Sequence, residues 1–394
     1  GLAVQRDELG IAHDLRRQSK RAGQRFLHVH IHHLGTFYAR RFKSFPPAHR
    51  FYRVMNMKKR LPLLLTAAAC FLALLLAPDA ARTGAVEGLR LCAERVLPAL
   101  LPFLFASRLL CGALPPLSCG GRLDRLSSAV FGVRAAALPA FLVGLLGGYP
   151  SGAAAVAGLY QEGALEKRDA ERALRICNNS GPAFFVSVVA SVTGGVRTGL
   201  LLYGIHAFSA LWVAVTLREP DSGGGAQIRR IADPSVPELF ARSVRGTAEA
   251  MLSICVLIVC FRVVQELLTA WNVWALLGIP GALRGLALGV LELTSGVLLQ
   301  QGQPFALPFC AFLMGWGGLC VHFQALSLAA SAGLRPRGYC AAKLLHGLFS
   351  VLLALAFTAP RPALLAEVAF LFAASAVFPS VLKKYAGKKS QTAV

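Results

Sequence analysis

Residues 177–185 read CNNSGPAFF, and they stand between two long apolar stretches. Asn and Ser compete for backbone hydrogen bonds, Gly is flexible, and Pro lacks an N–H. Such a run is a poor choice for a helix crossing lipid. The bilayer offers no replacement partners for freed backbone groups. A break at membrane depth is tolerated only where protein, water or a solute pairs those groups. The stretch therefore reads as an interruption inside a membrane protein, placed where something other than lipid surrounds it.

The rest of the chain agrees. Of 394 residues, 55% are hydrophobic and only 15% charged, and the mean hydropathy is +0.57. Apolar runs recur at 61–78, 96–114, 135–147, 199–217, 250–264, 340–360 and 363–381. Several approach the roughly 20 residues needed to span hydrocarbon. The short alternating segments of a membrane β-barrel are missing. The composition predicts an all-α polytopic membrane protein.

A net charge of +22 invites a nucleic-acid reading, but its distribution argues otherwise. Lys and Arg gather before the first span, at 115–134, 218–245 and 335–343, and in the tail from Lys383 to Lys389. That is the pattern of positively charged cytoplasmic loops. No nucleic-acid partner is expected. The ten cysteines lie singly in apolar surroundings without a CxxC pair. They read as small buried hydrophobes, and removing all ten should leave the fold intact.

Residues 1–56 form a basic stretch, expected to be disordered or extraneous, with translation starting at Met55 or Met57. Its His28, His30, His32 and His33 offer metal ligands, but a solvated basic tail is the preferred reading. No metal or cofactor is expected. Residues 57–90 supply a first span, retained rather than cleaved as a signal, and an outer loop. Residues 91–217 and 245–358 are two copies of one unit, joined by a cytoplasmic linker at 218–244. Residues 359–394 add a last span and the basic tail.

The repeat rests on the order of four features. Each copy opens with a span. Each then has an apolar run broken at Ser-Gly, GLLGGYPSGA (144–153) and GVLELTSGV (289–297). Each has a second break, CNNSGPAFF and GWGGLCVHFQ (315–324), and closes with a span carrying one histidine, His206 or His346. With the basic N-terminus inside, loop charges place the first copy running from outside to inside and the second from inside to outside. The copies are inverted repeats with broken or re-entrant helices.

Interrupted helices at matching positions of inverted repeats point to a solute site near the bilayer midplane. Half-helix N-termini present N–H groups and partial positive charge to anions. The candidate solute contacts are Tyr149, Ser151 and Gly152 in the first break, and Asn178, Asn179, Ser180 and Gly181 in the second. Thr294 and Ser295 serve the third, and Gly317, Gly318, His322 and Gln324 the fourth. Gly147, Gly148, Pro150, Gly152, Gly296 and Gly315 are read as helix breakers. Glu292, a carboxylate deep inside a span, is the coupling candidate for a proton or cation. Its plain alternative is hydrogen bonding to a broken helix. His206 and His346 are secondary candidates, with ordinary interhelical bonding as their alternative. Residues 166–177 form an amphipathic helix whose stripe is Ala170, Ala173, Leu174 and Cys177. It is either a rigid arm carrying the second break or a plain interfacial helix.

An intramembrane serine protease would need a Ser and a His base within reach. PSGA and TSG offer serines, but no nucleophile motif surrounds them, and P-loop, HExxH and GxGxxG patterns are missing. No enzyme activity is expected.

The block GGYPSGAAAVAGLYQEGALEKRDAERALRICNNSGPAFF (147–185), with GLCVHFQALSLAASAGL (318–334) and AAKLLHGLFSVLLAL (341–355), resembles sporulation integral membrane proteins with nucleoside-transporter gate-like domains. The likeness runs in order over about 57–385, with 147–185 its most specific part. It implies a mother-cell or outer forespore membrane protein of a spore-forming bacterium that moves dipicolinic acid toward the forespore. That small planar dianion suits helix N-termini, amides and hydroxyls. The alternatives are a scaffold or gate subunit that transports nothing alone, and a nucleoside-type transporter. Membrane lipid is an expected partner, and a homo-oligomer is compatible with the sequence. A transporter requires the four breaks to converge on a polar cavity.

Overall fold

The protein is described here by a computed structural model covering residues 57–113, 121–219, 235–358, 362 and 366–375. The basic stretch 1–56, most of the linker 218–244 and the Lys-rich tail lie outside the described residues. Among the described residues every regular element is helical, as an all-α polytopic membrane protein requires.

Helix α1, Met57–Leu76, is a 20-residue helix that is apolar from Leu61 onward. Leu61, Leu64, Phe71 and Leu75 are all well exposed on it. A helix apolar all round is at home in lipid.

The remaining elements are α2 (Pro78–Leu91), which continues through a π turn (Cys92–Val96) into α3 (Leu97–Gly112), then α4 (Arg122–Phe131) and α5 (Leu138–Gly147). Next come α6 (Ser151–Gln161), α7 (Lys167–Cys177), the π-distorted α8 (182–193) and α9 (Val196–Thr216). The second half holds α10 (Val236–Ala270), α11 (Gly281–Leu291), α12 (Leu293–Leu298), α13 (Ala306–Trp316), α14 (Gly318–Ser331) and α15 (Tyr339–Thr358). A short apolar helix, Ala366–Ser375, follows. Val196–Thr216, Val236–Ala270, Ala306–Ser331 and Tyr339–Phe357 are long and apolar enough to cross a membrane. Arg122–Phe131 with Ala135–Gly147, bent by 78°, meets the same test as a pair.

The two halves pack in matching order. Helices α5 and α6 form one tight hairpin, and α11 and α12 another. Helix α3 lies on α5 and α8, as α10 lies on α11 and α14. The halves also exchange partners. The second arm of the first hairpin, α6, packs on α14, while its counterpart α12 packs on α8. Helix α7 packs on α15, and α13 on α9. The closing helices α9 and α15 meet each other, with Trp212 and Phe349 stacked at 4.1 Å.

Glycines make both hairpins possible, and here the sequence reading needs correction. Gly152, Gly296 and Gly315 sit inside helices rather than at breaks. Their role is close approach. A Cβ on Gly144 or Gly152 would stand 1.7 or 1.8 Å from the Cys177 carbonyl oxygen. A Cβ on Gly296 would meet the Gly289 backbone at 2.0 Å, and one on Gly315 the Gly347 backbone at 2.6 Å. Only Gly lets backbones meet this closely. The breaks themselves lie at 148–150, 178–181, Glu292 and Gly317, where φ at Gly148 is 72° and at Gly317 87°.

The stripe on α7 is fully buried, with Ala170, Ala173, Leu174 and Cys177 each at 0% exposure. Its outer face is tied down by charge. Arg172 and Arg175 each approach the Glu219 carboxylate at 2.8 Å, and Arg168 at 3.7 Å. Burial pushes that carboxyl up, but the arginine bonds outweigh it and hold the group below its ordinary value of 4.5. A lowered carboxyl stabilises the fold above its ordinary titration range and loses that contribution as pH falls through the folded value. Glu219 is 38% exposed, so solvent weakens the pairs. Glu219→Gln is expected to cost about 0.5–1 kcal/mol at pH 7 and less at pH 3. Thermal midpoints of the two proteins at both pH values check this, and an equal difference at both would refute it.

Candidate functional site

The four breaks converge. A cavity of about 50 Å³ is lined by Gly147–Tyr149 of the first break, Ser180 and Gly181 of the second, Glu292–Thr294 of the third, and Cys320, Val321 and Gln324 just after the fourth. Apolar side chains of α3 and α10, including Leu100, Leu104, Ile254 and Ile258, complete its lining. The space suits a few waters, not an aromatic ring with two carboxylates. A larger solute requires the walls to part.

Several of the freed backbone groups are paired with the protein's own side chains. At the end of α5, Tyr203 donates to the Leu145 carbonyl at 3.0 Å. At the end of α7, Asn179 donates to Ile176 at 2.7 Å and Lys343 to Asn178 at 2.9 Å. At the end of α11, Gln265 donates to Leu288 at 2.9 Å and Trp316 to Val290 at 3.1 Å. At the end of α13, Tyr149 donates to Met314 at 2.7 Å, and His322 bonds the Trp316 carbonyl at 2.8 Å. On the N–H side, Ser180 N donates to His206 Nε2 at 3.0 Å. Thr294 N and Ser295 N donate to the two oxygens of Glu292 at 2.8 and 2.7 Å, and the Ser295 hydroxyl adds a third bond.

Several candidates therefore hold positions other than solute contact in this state. Tyr149, Ser180, Gly181, Glu292, Thr294 and Gln324 border the cavity. Ser151, Gly152, Asn178, Asn179, Ser295, Gly317, Gly318 and His322 do not. Glu292 caps α12, so the N-terminus read as an anion seat is occupied by the chain's own carboxylate. The plain alternative weighed for Glu292, bonding to a broken helix, describes its geometry. Gly317 faces Tyr149: a Cβ there would stand 3.3 Å from the phenol oxygen. His206 and His346, read as separate secondary candidates, stack on each other at 4.4 Å. His346 Nε2 bonds the His206 carbonyl at 2.9 Å. A carbonyl only accepts, so that nitrogen carries a proton, and His206 Nε2 accepts from Ser180 and carries none.

Sequence reasoning missed Lys343. It was counted among the loop charges at 335–343. The structure buries it to 1% exposure in the first turns of α15. Its Nζ donates to the Asn178 carbonyl, lies 3.0 Å from His346 Nδ1, and stands 5.6 Å from the centre of the Tyr149 ring. Among the described residues no carboxylate pairs with it. The one available signal was its place, three residues before the matched histidine of the closing span.

Tyr149→Phe removes a bond across the two halves and leaves the buried Met314 carbonyl without its side-chain donor. The expected cost is about 1–3 kcal/mol. A thermal midpoint equal to that of the wild type would exclude this contact.

Cys70, Cys92, Cys177, Cys255, Cys260, Cys310, Cys320 and Cys340 form no disulfide, and Cys70, Cys260 and Cys340 are exposed rather than buried as the sequence suggests. No group of three or more potential metal-ligating side chains occurs among the described residues. No protein-family model and no solved structure matches the chain. The chain is similar to the sporulation integral membrane protein YlbJ of Bacillus subtilis (strain 168), at 26% identity over 336 residues. That alignment covers 75% of this chain and 82% of the relative.

Proposed function

We propose that this integral membrane protein acts in sporulation as a transporter of a small anionic solute, dipicolinic acid being the foremost candidate. Solute would leave the mother cell toward the forespore by alternating access of two inverted halves. The observation that carries this reading is the convergence of four broken helices on one small cavity, backed by a buried lysine without a carboxylate partner among the described residues. Broken helices tolerated at membrane depth mark a solute path. The similarity to a sporulation membrane protein supports the biological setting. A scaffold has no need of polar groups gathered in the bilayer.

The test is uptake of dipicolinate by liposomes containing the purified protein. Saturable uptake, reduced at least tenfold by Asn178→Ala with Asn179→Ala, is the expected result. Absence of uptake would favour the scaffold, and full uptake by the double variant would remove Asn178 and Asn179 from the solute path.

A second reading has its own support. Oε1 of Gln324, which borders the cavity, is buried without a hydrogen-bond partner, as are the Oδ1 atoms of Asn178 and Asn179 outside the cavity lining. Free acceptors suit a neutral solute rich in donors, such as a nucleoside. Competition of labelled dipicolinate uptake by uridine or adenosine separates the two.

A further inference from the structure

We infer that Lys343 is the fixed cation of the solute site, held behind Tyr149 in the closed state and given to one carboxylate of the anion when Tyr149 moves. This assignment rests on the transport reading above and adds the charge that reading lacks.

Burying an ammonium costs several kcal/mol even after relaxation, and the cost is recovered only by an opposite charge or by excellent hydrogen bonding. Lys343 has the second and not the first. A carbonyl, an imidazole nitrogen and an aromatic face surround it. Two of those partners accept hydrogen bonds from its donors, and none supplies a counter-charge. The facing groups on the packed elements are the same kind. Asn178 ends α7, His206 belongs to α9, His346 to α15, and Tyr149 to the first hairpin. None of them is acidic. An intramembrane ion without a counter-ion is a functional candidate by default.

Place supports the assignment. Tyr149 borders the cavity, and the ammonium lies over its ring at 5.6 Å from the centre, so one side chain stands between the ion and the solute space. Tyr149 is held there by the bond to Met314 in the other half. Its neighbours on both sides of that bond are glycines with positive φ, Gly148 and Gly317. Breaking the bond frees the ring, and an entering carboxylate then neutralises the ammonium with a charge-assisted hydrogen bond. Glu292 gives no such help, since three donors of its own helix already hold it.

The experiment uses the full chain, purified in detergent, with dipicolinate as the probe. Lys343→Gln is expected to weaken dipicolinate binding on the order of 30-fold or more, while Lys343→Arg stays within about fivefold. Acetylation of the wild-type protein, read by mass spectrometry on the peptide containing Lys343, provides a second measurement independent of any variant. Slow labelling that saturating dipicolinate suppresses is expected. Equal affinity of wild type and Lys343→Gln, or labelling indifferent to dipicolinate, would overturn the assignment and leave transport standing. A wild type that neither binds nor moves dipicolinate would remove the transport reading and this assignment together. If Lys343→Gln does not fold, the labelling result decides.

Discussion

Gly152→Val is expected to yield little folded protein. The first atom of any side chain there would sit 1.8 Å from the carbonyl oxygen of Cys177, a backbone atom that cannot rotate away. Relief requires α6 to separate from the end of α7, which opens the hairpin and uncovers the buried stripe of α7. Overpacking of a well-filled core costs about 1–3 kcal/mol when side chains can adjust. With backbone on both sides the cost should exceed that range. The expected outcome is loss of monodisperse protein on extraction, or a thermal midpoint lowered by well over 5 °C. Gly296→Val should do the same to the second hairpin, since a Cβ there meets Gly289 at 2.0 Å. Gly158→Ala, in the same helix as Gly152 but with nothing within 4 Å, is the control. It should be neutral or stabilising by up to about 1 kcal/mol. A Gly152→Val protein that purifies and melts like the wild type would refute the packing described for this hairpin.

Glu292→Ala carries the second largest expected loss. Two backbone N–H groups, of Thr294 and Ser295, would lose their acceptor in a buried setting, together with the Ser295 hydroxyl. An N-cap is worth about 0.5–2 kcal/mol, and each buried donor left alone costs about 1–3 kcal/mol. The sum points to about 2–4 kcal/mol. Glu292→Gln keeps one acceptor and should cost about half as much. Ser295→Ala removes only the hydroxyl bond and should stay near 1 kcal/mol. Thermal unfolding of the four purified proteins gives this order, and an Ala variant as stable as Gln would break it. The same Gln variant examines coupling. If liposome uptake by Glu292→Gln still responds to an imposed proton or sodium gradient, Glu292 is a cap and nothing more.

The breaks were legible because each uses residues that a lipid-crossing helix avoids, and their positions at Gly148, Asn178–Gly181, Glu292 and Gly317 follow from local chemistry. What fills them was not legible. Tyr149 reaches Met314 across 165 positions of chain, and Lys343 reaches Asn178 across the same separation. No local pattern announces either. Lys343 was misread for a plain reason. One lysine at the start of an apolar span is the usual mark of a membrane surface, and only the docking of α7 against α15 shows that this end is enclosed. The Ser-Gly pairs misled in another way. They recur for close packing, so Gly152 looks like a solute contact and Gly296 like a helix breaker, while each serves its hairpin. The matched histidines were found, but not that they touch, because spacing along the chain does not reveal a contact between two closing helices.

The bonds that fill the breaks have a thermodynamic consequence. On the transport reading, a solute entering this centre meets helix ends that side chains already hold, Glu292 at the start of α12 and Tyr149 at the end of α13. To use those ends it exchanges with Tyr149 or Glu292 and returns them to their old partners on leaving. Its binding constant is then a small difference between two similar sets of contacts, which favours modest affinity, rapid release and high turnover.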